Sequence, residues 1–179
     1  MILQTERLYL REWQQEDFAD LAGMLQDPQV MYAYEHDFSD ADVQEWMERQ
    51  WRRYREHGFG LWAMVEKQSG EIVGQAGLTI QHCEGQDVLE IGYHLKRAHW
   101  KKGYAAEAAK GCMQYAFAVL DAPAVYSVIK SDNLASQKVA ERMGMKKQKE
   151  FWTTYYAGSV LHFLYGRENP NKQKEEAGK

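Results

Sequence analysis

Apolar positions along this chain switch between two periods, and the switches mark its elements. From Thr5 to Trp13, Leu8 and Leu10 alternate with Arg7, Tyr9 and Arg11, the period of a strand with one buried face. Phe18, Leu21, Ala22 and Leu25 then recur at helical spacing, and the pattern stops near Asp27-Pro28. Val30 to Glu35 is short and tyrosine-rich and predicts one more helical turn. Ser39-Asp40-Ala41-Asp42 reads as a helix start with Ser39 or Asp40 as cap. Val43, Trp46, Met47, Trp51 and Tyr54 follow on one face, and Gly58 marks the stop. Phe59 to Val65 and Ile72 to Ile80 are strands joined at Lys67-Gln68-Ser69-Gly70. A turn over Glu84-Gly85-Gln86-Asp87 leads into a third strand, Val88 to Leu95, with Gly92 inside it. Ala105, Ala108, Ala109, Cys112, Met113, Ala116, Phe117 and Leu120 then form a long helical stripe. Ala124 to Lys130 is a strand. Ser136, Val139, Ala140 and Met143 share a helical face capped by Asp132 or Asn133, with Gly144 just past the end. Met145 to Trp152 and Ser159 to Arg167 make a closing hairpin about Ala157-Gly158.

Candidate chemistry concentrates between the strand at Val88–Leu95 and the helix after it. Lys96, Arg97, Lys101 and Lys102 crowd that turn, and Gly103 stands where the helix begins. The first N–H groups of a helix lack intrahelical partners, and the macrodipole adds positive potential, so such a start suits a phosphate. The same residues also read as a solvated basic loop. The tryptophan and tyrosine stripe of the second helix reads as core, or as the wall of a substrate pocket. His82, Cys83 and Glu84 do not form a metal site, because neighbours on a strand point to opposite faces.

Composition adds bounds. At 179 residues, 45% hydrophobic and 27% charged, the chain suits one globular domain, expected over residues 1–168, with a polar, disordered tail over 169–179. A net charge of -4 gives no general reason to expect nucleic acid. Two cysteines offer neither a disulfide framework nor a metal motif. The opening MILQTERLYLREW has no apolar core of a signal peptide, and no run approaches the ~18 apolar residues of a membrane span. The expected location is the cytoplasm, with no membrane partner.

Trp100-Lys101-Lys102-Gly103-Tyr104-Ala105 resembles the Q/R-x-x-G-x-G/A signature of the GNAT acetyltransferase superfamily. EIGYHL followed by HWKKGYAAEA resembles the RimJ/RimL-type branch, whose founding members acetylate the N-terminal amines of ribosomal proteins. In that branch tryptophan often replaces the first Q/R, as Trp100 does; Lys101 stands where glycine is commoner. Asn133-x-x-Ser136 through Glu141-Arg142-Met143-Gly144-Met145 resembles the branch's N-x-x-S…E-K-x-G-F segment. The resemblance spans Thr5 to Gly166. It implies an α/β (α+β) fold with a mixed central sheet of six to seven strands flanked by about four helices. It also implies acetyl-coenzyme A as cofactor and an amine as acceptor, either a protein N-terminus or a small molecule such as a polyamine, amino acid or antibiotic. A catalytically silent acyl-coenzyme A-binding domain is the rival of another class, and a homodimer is one open assembly.

Residue roles follow in the same terms. The resemblance puts the cofactor diphosphate on Trp100, Lys101, Lys102, Gly103, Tyr104 and Ala105, the pantetheine arm along Tyr93, His94 and Leu95, and a cofactor amide on Asn133. A bulge at Gly92 would free an N–H for the developing oxyanion. Glu90 alternates with Ile91 and shares a face with His94. A carboxylate on an apolar strand is costly unless paired, solvated or functional, so Glu90 is the candidate base for direct attack of an amine on the thioester, with an exposed strand residue or a salt-bridge partner as the alternatives. Ser136 is the candidate proton source for the thiolate in this branch, a tyrosine in many relatives; it also fits an ordinary first-turn helix residue. His94 is a weaker base candidate.

Overall fold

The computed structural model describes residues 1–154, 156 and 158–172. In chain order the elements are β1 (Leu3–Gln4), β2 (Leu8–Arg11), α1 (Phe18–Leu25), α2 (Asp40–His57), β3 (Leu61–Glu66), β4 (Ile72–Cys83), β5 (Gln86–Leu95), α3 (Tyr104–Ala118), β6 (Ala124–Lys130), α4 (Leu134–Arg142), β7 (Lys146–Thr153) and β8 (Val160–Glu168). Single 3₁₀ turns lie at Gln15–Asp17, Tyr32–Tyr34 and Arg97–His99. The strands form one sheet in the order β1-β2-β3-β4-β5-β6-β8-β7. Every neighbouring pair is antiparallel except β5 and β6.

Alternation along β3 explains the layers. Trp62 and Met64 point to one face, where Ala108, Ala109, Cys112 and Ala116 of α3 and Ala140 of α4 complete a core. Leu61, Ala63 and Val65 point to the other, against Leu21 and Leu25 of α1 and Val43, Trp46 and Met47 of α2. A sheet with apolar residues on both faces needs helices on both, and this α/β arrangement provides them. Caps define the helix starts as expected for α2: Ser39 N donates to Asp42 Oδ2 (2.8 Å), and Asp42 N donates back to Ser39 Oγ (3.2 Å).

Several expectations need correction. The strand predicted from Thr5 to Trp13 is confined to Leu8–Arg11, because Thr5 N donates to Leu8 O (2.8 Å) in a tight turn that returns the chain along the short β1. That extra edge strand raises the sheet to eight. The turn predicted over four residues uses only Glu84 and Gly85, both left-handed (φ 45° and 87°), which makes a two-residue hairpin loop. Cys83 is buried beside an exposed His82, which pairs with Asp87 (2.9 Å). The register between β4 and β5 runs unbroken from Gly74–Leu95 to Cys83–Gln86, so the bulge expected at Gly92 is not there. Nor does the tail begin at Asn169. That residue is 1% exposed, and its Nδ2 donates to Ala122 O (3.0 Å) and its N–H to Pro123 O (2.8 Å). Residues 173–179, and Ala157 of the expected hairpin turn, lie outside the described residues. No helix among the described residues is long and apolar enough to cross a membrane.

Candidate active site

β5 and β6 are registered at a single pair, Glu90 with Tyr126, and then part. A parallel ladder that stops leaves strand edges facing space, and a cleft of about 950 Å³ opens there. Ile91 O accepts from Ser127 Oγ (3.2 Å) and Leu95 O accepts from Trp100 Nε1 (3.0 Å), both on the β6 side. Backbone groups of alternate strand residues face the same edge, so the N–H and C=O of Tyr93, between them, face the gap. The open edge sought as a bulge at Gly92 is supplied by this divergence of two strands.

Glu90 lies at the floor of the cleft. Its Oε2 accepts from Thr79 Oγ1 (2.8 Å), itself bonded by Gln81 Nε2 (3.2 Å), and its Oε1 accepts from Val128 N (3.4 Å). Burial pushes the Glu90 carboxyl above its ordinary range, against the pull of these donors and of Arg53. His94, on the same face, takes a different part. Trp46 Nε1 donates to Gln75 Oε1 (3.3 Å), and Gln75 Nε2 donates to His94 Nδ1 (3.0 Å), which leaves the His94 proton on Nε2. Burial pushes the imidazole down to about 4, so it is neutral at pH 7. Tyr34 and Trp46 pack on it, with ring centroids 5.6 Å and 5.9 Å away. The side chains of Tyr93 and Leu95 point to the opposite face; Tyr93 Oη donates to Ser136 O (3.3 Å) and Leu95 joins the core.

Above this floor α3 begins at Tyr104, with Gly103 in the left-handed region (φ 84°) as its cap and Lys101 also left-handed (φ 62°). The first intrahelical bond is Glu107 N to Gly103 O (3.1 Å), so the N–H groups of Tyr104, Ala105 and Ala106 have no partner within the helix. Trp100, Lys101, Gly103 and Ala105 line the cleft. Lys102 and Tyr104 do not: their side chains turn away, Lys102 Nζ toward His99 Nδ1 (3.5 Å) and Tyr104 Oη to the Glu66 carboxylate. The other cations of the turn are held by acids, Lys96 by Asp20 (2.5 Å) and Arg97 by Asp27 (3.1 Å). Lys101 is therefore the basic side chain the turn leaves to the cleft.

The opposite wall is the first turn of α4. Asn133 and Ser136 line it, but Asn133 Oδ1 is engaged as the helix cap, accepting from Ser136 N (3.1 Å). The cleft thus brings together Glu90, Tyr93, His94, Leu95, Trp100, Lys101, Gly103, Ala105, Asn133 and Ser136, and leaves out the side chains of Lys102 and Tyr104. A diphosphate fits the helix start, since three outward N–H groups, a glycine cap and one lysine converge there. An amide-bearing arm fits the free edge at Tyr93.

Sequence reasoning missed one wall. Arg49 and Arg53 of α2 line the cleft, and so do Tyr34 and Tyr156. His36 stacks on Tyr156 (4.2 Å, 8°), and Phe38 meets both edge-on, so the loop before α2 and the loop before β8 clasp across the mouth. The spacing Trp46, Arg49, Arg53 was visible as one helix face, but nothing local says that this face ends over a cleft instead of in solvent. Burial pushes Cys112 up to about 12 and Cys83 in the same direction, so neither thiol is a ready nucleophile.

Residues 7–146 match the Acetyltransferase (GNAT) domain family. The chain is 38% identical to the YkkB protein of Bacillus subtilis (strain 168) over 148 residues, 82% of this chain and 86% of that one. Its fold is similar to a GNAT-family acetyltransferase from Bacillus anthracis, with TM-score 0.79, 21% identity and coverage of 94% of this chain and 99% of that one. It is also similar to spermidine N-acetyltransferase from Vibrio cholerae, solved in complex with CoA and spermine, with TM-score 0.73, 15% identity and coverage of 91% and 96%.

Proposed function

Because the chain belongs to the GNAT acetyltransferase family, an acyltransferase family that uses acetyl-coenzyme A, we propose that it acetylates a primary amine by direct attack, with Glu90 as the base. Glu90 carries this reading: a carboxyl held above its ordinary range is a stronger proton acceptor than a free one, and it sits where the sheet opens. The N–H groups of Tyr104, Ala105 and Ala106, with Lys101, are the groups we assign to the cofactor diphosphate. The Tyr93 backbone is assigned to its amide arm and Asn133 to the wall beside it. The bound cofactor supplies an acetyl group activated as a thioester. Glu90 takes the ammonium proton, directly or through water. Tyr93 N–H offers a donor to negative charge developing on a carbonyl oxygen. Ser136, on the facing wall, would pass a hydroxyl proton to the departing sulfur and regain one from the second proton that the amine nitrogen loses, by way of water. The acceptor is a protein N-terminus of the ribosomal-protein kind or a small amine, and the setting is the cytoplasm, which two free, buried cysteines suit.

A calorimetric titration of acetyl-coenzyme A into the protein and into Gly103→Glu tests the first half. Micromolar binding lost in the variant is expected; no binding to about 1 mM, near -4 kcal/mol, would overturn it. For the second half, Glu90→Gln lowers turnover by about 10²-fold with cofactor affinity unchanged. An unaltered rate across pH removes Glu90 from the mechanism. Ser136→Ala lowers the maximal rate; an intact rate makes Ser136 a helix residue alone.

A further inference from the structure

Two arginines line the acceptor half of the cleft without a direct ion pair among the described residues. Trp46, Arg49 and Arg53 lie on one face of α2 and line the cleft together with Thr79, Gln81 and Glu90, with Arg53 near enough to Glu90 for their charges to act on each other. Both arginines are half-buried. Arg49 lies over the Trp46 ring, its guanidinium carbon 4.9 Å from the centroid, which fixes its plane. Arg53 Nη1 donates to Gln50 Oε1 (3.3 Å), and Gln50 Oε1 also accepts from Leu61 N (3.0 Å), so that side chain is tethered to the sheet. Among the described residues no carboxylate forms an ion pair within 4.0 Å of either guanidinium.

The acids nearby have other partners. Glu35 and Asp132 both hold Lys130 (3.1 Å and 3.3 Å), Asp42 is bonded by Ser39, and Asp40 accepts from Gln26 Nε2 (2.7 Å). Glu45 lines the cleft from its exposed rim, and Glu90 is bonded to Thr79 and Val128. Burial and the neighbouring Arg49 charge push the Arg53 guanidinium down from its ordinary value, against the opposing pull of Glu90, so the two like charges are only partly compensated. Such a pair is unfavourable alone and favourable around an anion, which a planar guanidinium grips with two parallel bonds.

We propose that Arg49 and Arg53 determine acceptor specificity by holding the carboxylate or phosphate of a small amine whose amino group lies toward Glu90. This rests on the reading that Glu90 marks the site of transfer. The substrate class is a compact amine bearing its own anion, an amino acid or a phosphorylated amino sugar in chemistry. Polyamines meet two positive charges there and are rejected. The aromatic clasp of His36 and Tyr156 across the mouth favours a compact ligand over a folded protein's end.

The test uses the whole protein with saturating acetyl-coenzyme A and matched amines: glutamate against its dimethyl ester, glucosamine 6-phosphate against glucosamine, spermidine, and peptides with acidic or neutral N-terminal segments. The anionic member of at least one small-molecule pair is expected to lead its neutral partner by about 30-fold or more in kcat/KM. Glutamate leading points to a carboxylate, the sugar phosphate to a phosphate. Arg53→Gln and Arg49→Gln then raise KM for the anionic amine by about 10-fold or more while kcat changes little and acetyl-coenzyme A affinity stays; Arg53→Lys recovers part of the loss. In parallel, glucosamine 6-phosphate and glutamate are tested for a rise in melting temperature that their neutral partners do not give and that Arg53→Gln abolishes. Preference for spermidine or neutral amines, for acidic peptides over both small-molecule pairs, or an anion preference that survives both Gln variants overturns the proposal. So does absence of any anion-specific turnover or thermal shift. Failure of acetyl-coenzyme A to bind at all is a separate result and overturns the proposed function itself.

Discussion

Glu90 and His94 share one face of β5 and are both held neutral more readily than in water, with opposite consequences for pH. The folded-state value of Glu90 lies above its ordinary 4.5. Between those two values the folded protein keeps a proton that the unfolded chain has released, so stability falls as pH rises through the window. Glu90→Gln removes that penalty. The melting temperature of the variant minus that of the wild type is expected to grow as pH rises from 4.5, while turnover falls. A gap that shrinks instead would mark Glu90 as a favourably paired ion. His94 falls from 6.5 to about 4 by burial. Below 6.5 the unfolded chain binds a proton that folded His94 refuses, so this contribution is complete above 6.5 and is lost toward 4. His162, also depressed by burial, adds in the same direction. His94→Gln is therefore expected to flatten the loss of melting temperature between pH 6.5 and 4, read by calorimetry; an unchanged slope assigns it to other groups.

Elements position these residues through local rules that single changes break. A Cβ at Gly77 of β4 would lie 1.9 Å from Gly60 O, against the backbone that brings Leu61 to the cleft. Gly77→Ala is expected to cost about 3 kcal/mol in chemical denaturation. Asn133 caps α4 and so sets where Ser136 stands. Asn133→Ala is expected to cost about 1 kcal/mol and Asn133→Asp to restore most of it. If Asp restores stability but not cofactor affinity, the amide contributes a contact besides the cap. Trp100 shows how one residue links two elements. Its indole N–H closes the last carbonyl of β5, so the turn into α3 is hung from the strand whose edge it adjoins.

At the scale of the whole molecule, the site exists because β5 and β6 diverge after one registered pair. The Tyr93 amide faces that gap and is expected to exchange with solvent much faster than that of Gly92, which faces the β4 ladder, and to slow when acetyl-coenzyme A is added. Equal protection in the free protein would mean the strands close in solution. Most elements were legible from periodicity, because each helix buries one stripe and most strands alternate. The start of α3 at Gly103 was legible because a left-handed cap favours glycine. Glu90 stood out since a carboxylate on an apolar strand needs a reason. Local pattern was blind to the short β1, which two residues cannot announce, and to the buried Asn169, whose polarity reads as surface until Ala122 and Pro123 are brought to it. Nor could it say which side chains of the phosphate turn reach the cleft: those of Lys102 and Tyr104 face the other way, leaving these two residues only their backbone to offer. Thus the chain by itself determined its elements, its family and a strand carboxylate that asks for a reason, since these are written in short local patterns. Tertiary structure alone decided where the sheet opens, which side chains of the basic turn reach the cleft, and that Arg49 and Arg53 meet Glu90 there, since those depend on segments tens of residues apart being packed at one angle.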